Sequence, residues 1–399
     1  MNNKRIAIVC DWLIDFWWAE FVLSHLLEIF PHADIYTSVC TLKHPMLKWH
    51  KIHTSWIEKV PFFRDHHKLA GVLRPFAFRS FDLSEYDIII CSSSAESKQV
   101  SVRNSIFQKK KENQVIKKQV IFCYCHTPIR YYWSHYEDYL KMLEFGWLNP
   151  LARFFLKRCI RSLRRIDLEW AQKIDYFIAN SENTLIRIRK YYRRDSTVIY
   201  PGAYIPDQDI YIQEAEKSET KFIKPPEYYI ALGRCVPYKK FDLLVDTFNK
   251  NGRKLILCTS TDTPLYRELR RRSRSNIEWK FGINDHEKYK LVALAKWLLF
   301  PPEEDFGLVP VEAMMLGTPV IAFRRGGATE TIVEWITGIF FREHTVESLS
   351  EAIERFETVH WDRWTIRIHA EKFSKETFQK NLLRYIASVT GIDESKMDV

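Results

Sequence analysis

Apolar residues along this chain follow two rhythms, and their alternation predicts the fold class. Ile6–Val9 is a short unbroken apolar run, the pattern of a strand buried on both faces. Ala19, Val22, Leu23, Leu26, Leu27 and Phe30 then recur at helical spacing, and Pro31 ends that helix. Further strands are expected at Ile35–Ser38, Tyr86–Cys91, Val120–Tyr124, Tyr176–Ala179 and Val198–Tyr200. A break follows at Pro201–Pro226, rich in proline and charge, and reads as a linker. The alternation then restarts. Strands are expected at Tyr229–Leu232, Leu255–Cys258, Trp297–Phe300 and Val320–Phe323. Helices are expected at Phe241–Asn249, Leu265–Arg272, His286–Ala295 and Leu308–Leu316. The tail Trp361–Val389 reads as helical. Strands alternating with helices imply right-handed βαβ units on parallel sheets. The expectation is an α/β protein of two Rossmann-like doubly wound domains facing a cleft, with ligands at the carboxyl ends of the strands. The boundaries read as 1–203, a linker at 204–226, a second domain at 227–375, and a C-terminal helix at 376–399 that returns to the first domain.

Composition narrows the class. The 399 residues are 46% apolar and 28% charged, which suits globular domains with full cores. No apolar run reaches the ~18 residues of a spanning helix. Asp11 cuts short the run that follows Lys4 and Arg5, so a secretion signal is not expected. The eight cysteines form no C-x-x-C pair and sit mostly in apolar runs, which suggests reduced, buried thiols in a cytoplasmic protein. The net charge of +10 comes with no known nucleic-acid reader motif, so nucleic acid is not an expected partner. One count stands out. There are 12 glycines and 13 tryptophans, 25 together, where about 28 glycines alone would be usual.

The densest chemical signal is Phe300–Gly327. A strand ends at Phe300, and a loop carries Glu304, Phe306 and Gly307. A helix then starts near Leu308 and Val309, with Pro310 tolerable in its first turn. Unpaired amides at a helix start attract anions, and glycine lets a phosphate approach. Glu304 and Glu312 can both accept bonds from the hydroxyls of one elongated ligand. They equally fit an acidic helix start that complements the helix dipole. The second signal is Leu232–Asp242, where Arg234 and Lys239 bracket a turn after a strand. Two fixed cations there suit a diphosphate leaving group. They also fit a solvated basic loop.

Taken together, these residues resemble the retaining GT-B glycosyltransferases of family 4, also called group 1. Glu304-x7-Glu312 is similar to that family's two-glutamate motif, and Gly233-Arg234-x4-Lys239 to its diphosphate clamp. Tyr124–Trp133, Asp175–Thr184 and Val198–Gly202 match its N-terminal half, so the resemblance covers nearly the whole chain. It implies a hexosyltransferase that moves a sugar, with retention, from a nucleotide diphosphate sugar to a glycan or lipid-linked acceptor. The setting would be cell-surface polysaccharide or glycolipid assembly. Arg234 and Lys239 would neutralise the pyrophosphate, Glu304 would hold sugar hydroxyls, and Glu312 the ribose. The amides of Phe306, Gly307, Leu308 and Val309 would cap a phosphate or the sugar. His126 would lie near the sugar and the acceptor. No metal or other cofactor is expected, because protein cations take that place. No covalent nucleophile is expected either, since the leaving phosphate itself would accept the acceptor's proton. A catalytically inactive GT-B binding protein and a sugar-nucleotide epimerase remain open as alternatives.

The chain departs from the family at two loops. Trp17 and Trp18 stand where the family has Gly-Gly, and Trp335 where it has glycine before x-Thr-Gly; Trp49 and Trp297 are weaker instances. Indoles would fill a phosphate site and forbid glycine dihedrals. Three explanations fit: an inactive homologue, a reshaped site, or UGA codons that mean glycine in the source and were rendered as tryptophan. The shortage of glycine favours the third. Finally, Leu151–Arg165 sets Arg153, Lys157, Arg158, Arg161, Arg164 and Arg165 among apolar residues. That pattern fits either peripheral contact with an anionic membrane, at the inner face of the plasma membrane, or a packed helix with a solvated basic face.

Overall fold

The computed structural model of the protein describes residues 4–16, 18–65, 70–71, 73–100, 119–134, 136–141, 149–220 and 227–391. Contacts divide the chain into two units, Met1–Tyr200 together with Phe378–Val399, and Pro201–Thr377.

The first unit is built on a parallel seven-stranded sheet. Its strands are β1 (Ile6–Cys10), β2 (Asp34–Thr37), β3 (Ile52–Thr54), β4 (Ile88–Ser93), β5 (Val120–Cys125), β6 (Tyr176–Ala179) and β7 (Ser196–Val198), in the order β3-β2-β1-β4-β5-β6-β7. The helix Trp18–Ile29 buries Val22, Leu23, Leu26 and Leu27 in a core built on Ile8, Ile35 and Ile90. Phe378, Leu382 and Ile386 of the last helix, Lys375–Thr390, complete that core. A separate core gathers Val9, Ile89 and Phe177 with Phe78, Ile188 and Tyr192. Each such apolar side chain contributes about 1.5–3 kcal/mol on burial.

The second unit repeats the plan with six parallel strands: β8 (Tyr229–Leu232), β9 (Leu255–Thr259), β10 (Ile277–Phe281), β11 (Trp297–Phe300), β12 (Val320–Phe323) and β13 (Gly338–Phe341), ordered β10-β9-β8-β11-β12-β13. Neighbours β8 and β11 are a crossover pair, and ligands of such sheets gather where the strand order reverses. Among the described residues, no helix is long and apolar enough to cross a membrane.

Two expectations are corrected. The stretch 204–226 is not a plain linker, because Gln208–Thr220 is a helix of the second unit. Its prolines all flank this helix, and its interior reads as solvated because, among the described residues, Tyr211 and Ala215, one turn apart, are the ones buried. Tyr211 packs 5.9 Å from Tyr289, and Gln208 donates to the Met315 carbonyl at 2.9 Å. The strand expected at Val198–Tyr200 lies instead at Ser196–Val198. The C-terminal helix runs Lys375–Thr390, and residues 392–399 lie outside the described residues.

Candidate functional site

In the second unit, the chain leaves β8 at Gly233 and makes a pinned turn. Cys235 donates its amide to Thr261 Oγ1 at 3.0 Å, and Thr263 Oγ1 donates to the Cys235 carbonyl at 2.7 Å. A short 3-10 turn, Pro237–Lys239, follows, and Lys240 in the left-handed region (φ 58°) starts the helix Phe241–Asn251. This turn buries Lys239 and leaves Arg234 exposed, with its Nη2 donating to the Tyr238 hydroxyl at 3.0 Å. Lys239 Nζ donates to Glu304 Oε1. One predicted cation and one predicted carboxylate therefore meet where adjacent strands β8 and β11 end.

The loop after β11 is braced from two sides. His344, stacked on Phe323 at 3.7 Å, places its Nε2 2.8 Å from the Pro301 carbonyl. Gly327 donates its amide to the Glu304 carbonyl at 2.9 Å. Gly307 then caps the helix Leu308–Met315 with φ 82°, a backbone region that L side chains avoid. Phe306, Leu308 and Val309 are buried. The amides of a helix's first turn lack intrahelical partners and carry the positive end of its dipole. Glu304 precedes that helix end and Glu312 lies within the helix.

Glu312 is buried, and the Tyr289 hydroxyl donates to its Oε1 at 3.4 Å. Burial pushes the Glu312 carboxyl above its ordinary range, and the Lys288 charge opposes that shift. Burial pulls Lys288 down, but the Glu312 charge, Tyr289 and Asp285 outweigh it and leave the ammonium raised. Lys288 Nζ pairs with Asp285 Oδ1 at 2.9 Å. Lys288 and Tyr289 escaped sequence reasoning, because Asp285–Leu294 shows no motif and meets Glu312 only through tertiary packing.

The first unit holds His126 just beyond β5. Its Nε2 lies 2.8 Å from Ser92 Oγ, its amide donates to the Ser93 carbonyl at 2.9 Å, and the Tyr124 ring stands edge-on at 5.3 Å. Beyond β4, Asp11 accepts from the amides of Ser94 (2.7 Å), Ala95 (2.8 Å) and Ser97 (2.7 Å). Two buried ion pairs support the same loop. Arg74 pairs with Glu96 at 2.7 Å, and Lys98 with Asp167 at 2.8 Å; Asp167 also accepts from Trp133 Nε1. Such charges are tolerable in an interior because they are paired and hydrogen-bonded. Trp18 opens the helix Trp18–Ile29 and is 38% exposed, whereas Trp17 lies outside the described residues.

The remaining tryptophans named above separate. Trp335 holds φ 69° and is half exposed. Trp49 is exposed on a turn, without a positive φ. Trp297 is 3% exposed and packs 4.6 Å from Tyr229 and 5.3 Å from Phe356, so a glycine there would leave core space empty.

Comparison with known proteins agrees with this geometry. Residues 212–377 match the family described as "Glycosyl transferases group 1". The human protein named Alpha-1,3/1,6-mannosyltransferase ALG2 is 25% identical over 342 residues, covering 76% of this chain and 74% of that one. Among solved structures, the sucrose-phosphate synthase of Thermosynechococcus elongatus superposes with a TM-score of 0.67 at 16% identity, over 98% of this chain and 100% of that one. Anabaena Alr3699/HepE, solved with UDP and glucose, superposes with a TM-score of 0.64 at 16% identity, over 97% and 100%. At these identities the two structures speak for the fold.

Proposed function

Because the chain belongs to the group 1 glycosyltransferases and is a GT-B enzyme of glycan assembly, we propose that it transfers a hexose, with retention, from a nucleotide diphosphate sugar to a glycan or lipid-linked acceptor. What most supports this reading is the Lys239–Glu304 pair, at the ends of adjacent strands and in the loop leading to the Leu308 helix start. Lys239 and Arg234 hold the departing diphosphate, whose charge grows as the glycosidic bond breaks. Lys239 has three donor hydrogens, so it can keep Glu304 oriented and still meet phosphate oxygens. Glu304 holds sugar hydroxyls and Glu312 the ribose, while the amides of Phe306–Val309 cap a phosphate or the sugar. His126 serves the acceptor side, and the leaving phosphate takes the acceptor's proton. These side-chain cations supply the charge that a divalent cation would otherwise bring, so no metal is required.

We place the acceptor at an anionic membrane surface. The helix Asn149–Ala171 exposes Leu151 and Phe154 together with Lys157, Arg158, Arg161 and Arg165. Arg164 does not join them, because it turns inward to donate to the Tyr132 carbonyl.

The test is release of nucleoside diphosphate from a donor panel that includes GDP-mannose and UDP-glucose. The name of the human relative makes the mannosyl donor the first to try. Lys239→Ala and Glu304→Gln should each lower turnover about 10²–10³-fold. If no donor is turned over, either by this chain or by its Trp17→Gly/Trp18→Gly variant, the transferase reading fails.

A further inference from the structure

The strand β4 ends in a buried hydroxyl that has no part in binding the donor. The run Ile88–Cys91 is apolar, and Ser92 then places an O–H in the same interior, 2% exposed. A hydroxyl buried without a partner is costly, so where it bonds matters. Ser92 lies in register with Tyr124 on β5, and side chains two apart along a strand share a face. His126 follows Tyr124 by two, which brings its imidazole to Ser92, with Nε2 2.8 Å from Oγ. Among the described residues, that nitrogen is the one partner of the Ser92 hydroxyl. The rest of His126 is held as firmly. Its amide donates to the Ser93 carbonyl at 2.9 Å, and its carbonyl accepts from Thr184 Oγ1 at 3.3 Å. Thr184 is itself set at the start of the helix Glu182–Tyr192, where its amide donates to Ser181 Oγ at 3.0 Å. The Tyr124 ring stands edge-on to the imidazole at 5.3 Å, anchored by its own hydroxyl on the Ile199 carbonyl at 3.0 Å.

Proton counting then selects the tautomer. A hydroxyl has one hydrogen, and a neutral imidazole has one N–H and one lone pair. If Nε2 donated to Oγ, the buried Ser92 hydrogen would be stranded. If Ser92 donates to Nε2, both groups are satisfied, and the ring's own hydrogen sits on Nδ1. A ring in that state has no lone pair to spare for an acceptor's proton, which agrees with a leaving phosphate that takes it.

We propose that Ser92 is a positioning residue, whose hydroxyl donates to Nε2 and holds His126 as the Nδ1–H tautomer, so that the imidazole serves transfer as a hydrogen-bond donor and not as a base. The proposal deepens the placing of His126 on the acceptor side and rests on it, but the ring can be read without any transfer. Long-range proton–nitrogen NMR of the full chain with isotope-labelled histidine tests it, in alkaline buffer where histidines are neutral. His126→Gln assigns the signals by their loss. The intact chain should show a pyrrole-type Nδ1 and a pyridine-type Nε2 at His126. Ser92→Ala should move both nitrogens toward the averaged shifts of a ring exchanging between tautomers, with unchanged circular dichroism. Diphosphate release is then followed in the chain, or in its Trp17→Gly/Trp18→Gly variant if only that turns over. There Ser92→Ala should lower kcat about tenfold, the worth of one hydrogen bond made in the transition state, with the donor KM unchanged. Ser92→Thr, which keeps the hydroxyl, should recover the rate. A pyrrole-type Nε2 in the intact chain overturns the proposal, and that observation needs no variant to fold. So do an unmoved tautomer in folded Ser92→Ala protein, a kcat equal to the parent's, and folded Ser92→Thr protein as slow as the alanine variant. If no donor is turned over while the ring signals stand as expected, the transfer reading falls, and the donor role with it, while Ser92's hold on the ring stands.

Discussion

β1 and β8 occupy the same place in their sheets, each between the second and fourth strands of its unit, yet the loops that follow them are built in opposite ways. After β8 the chain opens with Gly233, and the amide and carbonyl of Cys235 are tied back to threonines, which frees the turn to present Arg234 and Lys239. After β1 the chain opens with Asp11, whose carboxylate is occupied by the amides of Ser94, Ala95 and Ser97. That loop then runs to Trp17 and Trp18. One loop sends its charge across to the neighbouring strand's loop, Lys239 to Glu304, and the other uses its charge to hold the chain after β4. Topological equivalence sets where a loop stands, and residue chemistry sets what it can hold.

The largest expected effect tests the weaker of these loops. If indoles at 17 and 18 obstruct the approach of donor phosphates, Trp17→Gly/Trp18→Gly should raise nucleoside diphosphate release about 10²-fold, the scale of a ~1 Å misplacement at a reacting centre. Equal turnover by both proteins would show that the loop works with its rings in place, and the resemblance to a Gly-Gly loop would lose its functional meaning.

The second effect tests the stronger side. A Cβ on Gly327 would lie 2.3 Å from the backbone Cα and O of Phe306, and one on Gly326 would lie 2.3 Å from the Glu304 carbonyl oxygen. Neither backbone atom can step aside, so Gly327→Ala should lower stability by about 3 kcal/mol, measured by urea unfolding. Turnover should fall with it, because the same amide positions Glu304. A Gly327→Ala protein as stable and active as the parent would show that this loop is not rigidly backed.

How far this contrast is legible in the sequence depends on burial. Tyr176–Ala179, Tyr229–Leu232, Trp297–Phe300 and Val320–Phe323 lie where their apolar runs predict, inside sheets covered on both faces. The failures gather at sheet edges. β3 and β10 were missed and β7 was displaced, and all three are edge strands in which polar or charged residues interrupt the run. β13 is apolar, but it begins at Gly338 inside a stretch that reads as a motif. At the site, Lys239 and Glu304 could each be named in advance through the family resemblance, but their bond to each other could not. Lys288 and Tyr289 could not, since a contact between two helices leaves no local trace. The buried pairs Arg74–Glu96 and Lys98–Asp167 were hidden for the same reason.

The smallest effect concerns Trp335, and it bears on the shortage of glycine. The loop Val333–Gly338 closes through Trp335 N to Gly338 O at 2.8 Å and Thr337 N to Val333 O at 2.9 Å, and this closure requires φ 69° at position 335. A left-handed conformation costs a bulky residue about 1 kcal/mol, and the exposed indole has the distant Arg355 guanidinium, 6.0 Å from its centre, to offset that cost. Trp335→Gly should therefore be neutral or stabilising by up to about 1 kcal/mol. Trp297→Ala, which empties a packed core site, should cost about 3–5 kcal/mol. Thermal unfolding of the two variants separates the cases, and the mass of the peptide spanning position 335, from protein made in its own source, decides between them chemically. A glycine mass there would make the left-handed turn native to its residue and extend the same reading to positions 17 and 18. A tryptophan mass, with Trp335→Gly clearly destabilising, would mean that the indole stabilises this turn and that the rings at 17 and 18 belong to a reshaped or inactive loop.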